Sequence, residues 1–247
     1  MKRSPLLIGL VAVIAIAAAG GIYGFATLFL HPAPSAVALD PGSSQPAASI
    51  GSLPSGATST LTAGIDGTWA VDRSVGSFSD FSSSWVGYRV DETLAGNRAN
   101  TAVGRTPDVT GTLTLDGTKI TAVDVAADLT TLQSDDQRRD RQLGEQAIQT
   151  GQFPQATFKL TSPIDLGSAP ANGQTMTATA TGELTLHGVT KTVQVPIQAQ
   201  LSGDVVTVVG SIPIAFADYS IQPPTSFAIL SVEDHGTMEL QLHFRHQ

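Results

Sequence analysis

The sequence predicts an all-β fold: an antiparallel up-and-down barrel, or a flattened sandwich, with one short helix, preceded by a single N-terminal transmembrane helix. Three observations predict it. An uncharged, mostly apolar run occupies Leu6 to Leu30 behind Lys2 and Arg3. From Gly67 onward, short alternating runs rich in Thr and Val recur between Gly, Asp and Pro, the pattern of half-buried strands. Finally, Thr-Gly-x-Leu-Thr-Leu-x-Gly is written twice, at Thr110–Gly117 and Thr181–Gly188.

The N-terminal run is long enough for a membrane-spanning helix, which needs roughly 20 apolar residues. Its basic flank belongs on the cytoplasmic side, which places the remainder outside. A cleaved signal peptide is the competing reading, with Ala17-Ala18-Ala19 as the small-residue site. The run continues well past those alanines, so an uncleaved signal anchor over 1–30 is favoured. The expectation is a single-pass protein of the cell membrane with an extracytoplasmic C-terminal domain, or a secreted one if the N-terminus is removed. Residues 31–65 are dominated by Pro, Ser, Ala and Gly without apolar periodicity, which predicts a flexible tether.

The domain over 66–247 yields nine candidate strands: 67–72, 84–94, 109–115, 119–129, 157–162, 175–186, 191–201, 205–216 and 237–244. Tight hairpins are expected at Asp116-Gly117, as a type I′ turn, and at His187-Gly188. The polar stretch 133–150 interrupts them. Leu143, Ala147 and Ile148 form one narrow apolar stripe there, Ser134 suits an N-cap, and Asp135 and Asp136 suit the first turn. So many antiparallel strands need closure, because open edges invite pairing with other chains. The whole chain holds only 2 Trp, 3 Tyr and 9 Phe, which leaves room inside a barrel for an apolar ligand.

Composition excludes several functions. There is no cysteine, hence no disulfide, thiolate nucleophile or cysteine-based metal site. The net charge is -8, opposite to the basic face of a nucleic-acid binder. No G-x-S-x-G, GxGxxG or GxxxxGK[ST] motif occurs, and no carboxylate pair stands out, so neither an enzyme nor a cofactor is expected. His187 sits where the earlier hairpin has Asp116, which points to turn geometry. Glu233, Asp234 and His235 are consecutive, a poor arrangement for converging on one ion. His243 and His246 should fall on opposite faces of a strand. No metal site is expected.

The period-2 rule selects the candidate cavity lining. Leu113 and Leu115 share one face of their strand. Val123 and Val125 do so on the next, as do Leu184 and Leu186. Ile212, Ile214 and Phe216 form a further row.

An ordered set of motifs then resembles the YceI-like family of extracytoplasmic lipid-binding proteins. It begins with Gly67-Thr68-Trp69-Ala70-Val71-Asp72 and continues through Val109-Thr110-Gly111-Thr112-Leu113 and Asp128-Leu129-Thr130-Thr131-Leu132. Arg139-Asp140 with Leu143 is similar to its R-D-x-x-L, and Phe153-Pro154-Gln155-Ala156-Thr157-Phe158 to its Y-P-x-A-x-F. Gly182 to Lys191, GELTLHGVTK, is the strongest match. Arg73-Ser74 departs from the His-Ser that often follows the opening motif. The resemblance implies a lipocalin-like barrel around an elongated apolar cavity, in which some members hold a polyisoprenoid. It adds Phe158 to the candidate lining. A long-chain isoprenoid or similar lipid is then the expected ligand, with the membrane a further partner through the N-terminal helix. A barrel filled by its own side chains would instead serve as a structural or protein-interaction module of the envelope.

Overall fold

The computed structural model describes residues 33–39, 65–224 and 229–247. The expected N-terminal helix and most of the tether lie outside these residues. No helix among the described residues is long and apolar enough to cross a membrane.

The strands are β1 (Gly67–Val71), β2 (Trp85–Leu94), β3 (Arg98–Thr106), β4 (Val109–Asp116), β5 (Lys119–Asp128) and β6 (Gln155–Leu160). They continue as β7 (Ile164–Asp165), β8 (Thr175–Leu186), β9 (Val189–Ser202), β10 (Val205–Ala215), β11 (Ile229–Val232) and β12 (His235–His246). All pairings are antiparallel. β12 pairs with β10 on one side. On the other side it pairs with β1 near its C-terminus and with β2 near its start. That closes an eight-walled up-and-down barrel.

Several walls are strands in two pieces. β1 and β2 lie end to end along β12, separated by the serine-rich loop 72–84. β3 and β4 likewise follow one another along the wall, broken at Pro107, which has no N–H to offer a ladder. β6 and β7 both pair with β5. β8, β9, β10 and β12 run unbroken from one end of the barrel to the other. Three pieces escape the period-2 reading. β3, RANTAVGRT, is too polar to read as a strand, β7 has two residues, and β11 four.

The helical stretch is shorter than its pattern predicts. Helix α1 spans Gln137–Gln142, with Asp136 as N-cap accepting from the Arg138 N–H, in place of Ser134. Ser134 donates its hydroxyl to Asp140 instead. A π-type turn over Leu143–Ala147 follows. The Ile148 N–H reaches back to Leu143 O, and this wider turn keeps the expected apolar stripe on one side. Gln133 bridges to Arg105 on β3.

Of the two expected hairpins, the second forms where its sequence places it and the first does not. At the second, Leu186 faces Val189, and both His187 (φ 51°) and Gly188 (φ 73°) are left-handed, as a type I′ turn requires. At the first, Asp116 pairs with Lys119, so the loop residues are Gly117 and Thr118, and only Gly117 has positive φ. That is the type II′ pattern, one residue out of step with the expected Asp-Gly turn. A bulge at Thr114/Leu115 shifts the register, so Ile120 joins Val123 and Val125 on the inner face.

Part of the expected tether is docked. Residues 35–39 belong to the same compact unit as the barrel. The Val37 N–H donates to Glu239 Oε1 (3.3 Å), and Arg105 Nη2 donates to Ser35 O (3.2 Å). Glu239 and Arg105 lie on the outer face, almost fully buried. The guanidinium stacks 3.9 Å from the Trp85 ring centroid and 4.3 Å from that of Phe81. Arg89 Nε completes the group, 3.4 Å from Glu239 Oε1.

An apolar tunnel with a polar mouth

Alternation along the walls turns an apolar face inward, and the space it encloses is not filled. Three cavities follow one another along the barrel. The mouth chamber has a volume of about 140 Å³, the middle chamber about 100 Å³ and the base chamber about 70 Å³. Val86, Ala156 and Met238 border both the mouth and middle chambers. Leu113, Ile120, Ile197 and Val208 border both the middle and base chambers. Adjoining chambers thus share walls, and together they form one row of apolar spaces along the lumen, the tunnel. At the base, Trp69 is held by its indole N–H, which donates to Ile65 O at 2.9 Å, and both residues line the last chamber.

The structure distributes the sequence-selected residues along this tunnel. Leu113, Val123, Val125, Phe158 and Leu184 line the middle chamber. Leu115 lines the base, while Leu186, Ile214 and Phe216 line the mouth. Ile212 is different: it is buried in the wall packing and borders none of the three chambers. Glycine shapes the wall at two positions. A Cβ on Gly182 would meet the Phe158 ring at 2.5 Å, and one on Gly104 would meet the Tyr88 ring at 2.4 Å. Each aromatic ring lies across a neighbouring glycine instead of filling the lumen.

The mouth chamber is walled on one side by the helical stretch, through Leu132, Leu143, Ala147 and Ile148. It also holds a polar cluster. Arg139 Nη2 donates to Glu92 Oε1 at 3.2 Å, and Arg139 Nη1 pairs with Asp135. Asn100 Nδ2 donates to the same Glu92 oxygen at 2.7 Å. The Glu92 and Arg139 side chains are only 4% and 15% exposed. Nearby, the Tyr88 hydroxyl is buried and has no hydrogen-bond partner among the described residues; burial pushes its pKa well above the usual phenol range. An unsatisfied buried hydroxyl costs about 1–3 kcal/mol. Period-2 reasoning passed over Tyr88, Glu92 and Arg139 because it selects apolar residues. The one signal for Arg139 was its place in the R-D-x-x-L-like motif.

The histidines serve the wall. His187 Nδ1 donates to Tyr219 O at 2.9 Å and its ring packs edge-on against Phe153, 4.6 Å between centroids. His243 Nε2 donates to Ser82 O at 2.8 Å and its Nδ1 accepts from the Thr207 hydroxyl at 3.0 Å; burial pushes its pKa down. The ligand atoms of Glu233, Asp234 and His235 do lie within 4.8 Å of one another, closer than three consecutive residues suggest. All three are exposed, and nothing else points to an ion there.

The comparisons with known proteins agree with this architecture. Residues 58–244 match the YceI-like domain model. A UPF0312 protein of Vibrio parahaemolyticus is 31% identical over 122 residues, covering 46% of this chain and 60% of that one. A UPF0312 protein of Shewanella oneidensis is 38% identical over 105 residues, covering 41% and 50%. The chain thus spans about half the length of the curated relatives it matches. Among solved structures, the fold is similar to a polyisoprenoid binding domain from Saccharophagus degradans implicated in plant cell wall breakdown. That pair shares 17% identity and a TM-score of 0.57, covering 72% of this chain and 98% of that one. The family match runs from before β1 to within two residues of the end of β12, and the chain belongs to the YceI-like family.

Proposed function

We propose that the protein is an extracytoplasmic, membrane-tethered binding protein for a long apolar lipid, a polyisoprenoid in the first instance, and that it carries, stores or shields this lipid in the cell envelope. The observation that carries the reading is the row of adjoining apolar chambers inside a closed barrel. From the rise of β12 between Gly236 and Phe244, and a strand tilt of roughly 40°, the tunnel is about 20 Å long. A flexible chain threading it gains about 25 cal/mol for each Å² of apolar surface removed from water. No polar contact is needed to hold the tail. The polyisoprenoid binding domain of similar fold supports the choice of ligand, and the Lys2-Arg3 flank with its apolar run supports the tether and its orientation.

Organic extraction of the purified full chain, followed by mass spectrometry, tests the ligand. A polyisoprenoid recovered in near-stoichiometric amount is expected. A barrel that yields no lipid and takes up no added isoprenoid would overturn the reading. Protease digestion of spheroplasts tests the placement. Loss of the barrel domain without lysis is expected, and its protection until lysis would overturn an extracytoplasmic location.

A further inference from the structure

One row of residues crosses the outside of the barrel at right angles to its strands. Paired positions run Arg105–Gly87–Glu239–Ser211 from β3 to β10, and the paired Pro196 and Thr179 continue over β9 and β8. Apart from the two charged residues the row is built of small ones, so it forms a groove. Only glycine fits at position 87, where a Cβ would meet Arg105 Cγ at 2.7 Å. The charged pair is sunk in the floor: Arg105 and Glu239 side chains are 4% and 2% exposed, with Arg105 Nη2 3.8 Å from Glu239 Oε2. Buried charges need hydrogen-bond partners, yet Glu239 Oε2 and Arg105 Nε make no hydrogen bond among the described residues. The partners that these side chains do find include main-chain atoms of the docked segment, two residues apart: Ser35 O on Arg105 and the Val37 N–H on Glu239. Val37 and Ala38 border the same open groove as Thr179, Pro196 and Ser211. Val37 and Leu39 are half-buried while Ala36 and Ala38 are exposed, the alternation of an extended chain lying on a surface.

We infer that this row is a peptide-binding groove whose occupant is the chain's own residues 35–39, and that the occupied groove is a latch holding the barrel close to the membrane. Four residues, 31–34, separate the apolar run ending at Leu30 from the docked Ser35. They reach at most about 18 Å at 3.3–3.6 Å per residue. With the groove empty, all of residues 31–64 lie between the run and the barrel, and a chain of that length and composition has an r.m.s. span of about 30 Å. Met238 and Leu240, which flank Glu239, line the mouth and middle chambers, so the latch grips the wall at their junction. The membrane role rests on the tether reading above; the groove itself does not.

The test uses the full chain. It has no cysteine, so Ala36→Cys and Thr192→Cys, both at exposed positions, carry two spin labels without competition. In detergent the pair should give one narrow distance. Val37→Pro removes the N–H that Glu239 receives and lies outside every barrel strand. It should lower the docked-to-free ratio at least about tenfold, as expected for a lost hydrogen bond to a charged acceptor. A broad distribution in the parent overturns the groove, and a narrow distance between singly labelled chains overturns an intramolecular latch. The second arm places a fluorophore at Thr192→Cys and acceptor lipids in liposomes. Energy transfer should fall at least about twofold in Val37→Pro as the permitted span lengthens. Equal transfer in both overturns the membrane role. A full chain that does not partition into liposomes overturns the tether reading and the latch's role with it, while the spin-label distance still decides the groove.

Discussion

Gly182 and Phe158 show what a single residue decides in this protein. Phe158 faces Leu184 across the β6–β8 ladder, and its ring lies over Gly182 two positions away. A Cβ there would also meet Lys159 O at 2.4 Å, and a backbone atom cannot turn aside as a side chain can. Gly182→Val should destabilise the barrel by about 1–3 kcal/mol, the usual range for overpacking, with a matching fall in the chemical-denaturation midpoint. An unchanged midpoint would mean that Phe158 rotates freely into the lumen. The contrast between Ile212 and Ile214 marks the limit of sequence reading at this scale. Both sit on one face of β10, as period 2 requires, yet only Ile214 borders a chamber. Periodicity names the face but carries no information about what fills the space opposite. The Tyr88–Gly104 contact was hidden for a related reason, since it depends on the register between β2 and β3.

At the scale of elements, the two Leu-Thr-Leu hairpins look alike in sequence and differ by one step in structure. In the first, the β4–β5 ladder passes a bulge at Thr114/Leu115 and closes on Gly117-Thr118, and nothing in the local sequence announces that register. The surroundings differ as well. A Cβ at Gly117 would meet nothing within 4 Å, whereas one at Gly188 would meet the Phe153 ring at 2.5 Å. Gly117→Ala should therefore cost only the left-handed backbone penalty of about 1–2 kcal/mol. Gly188→Ala should cost clearly more, and matched thermal melts of the two variants check the order. The helical stretch was legible as an interruption with an apolar stripe. Its length was not, because Asp136 outcompetes Ser134 for the cap and a π-type turn replaces the last α-helical turns.

The whole molecule depends on closure and hollowness. The strand pattern and motif order made the barrel legible, but closure itself lies in the β1–β12 seam, which has only three paired positions. Arg245 reinforces it, with Nε 2.7 Å from Asp72 Oδ2 and Nη1 on Asp204. Hydrogen bonds from the Ser74 hydroxyl, then from Arg245 and the Ser74 N–H, hold the Asp72 carboxyl at about 2, below its ordinary value near 4. A depressed acid pKa stabilises the fold above the unfolded-state value, and this contribution is lost as pH falls from about 4 toward 2. Asp72→Asn should lower stability at pH 6 and have little effect near pH 2, as read by denaturation at both values. Hollowness has its own check. Ala180 lines the middle chamber. In a filled core, Ala180→Phe would cost about 1–3 kcal/mol. Here the ring has a space to enter, so the melting temperature should stay within about 2–4 °C of the parent while isoprenoid uptake falls. A large drop in melting temperature would mean that the chamber is already filled.

The broken walls carry one more consequence. β1, β4 and β7 belong to the base, whereas β2, β3 and β11 belong to the mouth, and the joints at 72–84 and at Pro107 separate the two levels. The upper level is held to β12 by the five paired positions of β2, so parting that ladder would open the mouth while the lower ladders stay intact. Amide hydrogen exchange reads this directly: protons of β2, β3 and β11 should exchange in a fast cooperative group, well ahead of those in β8, β9 and β10.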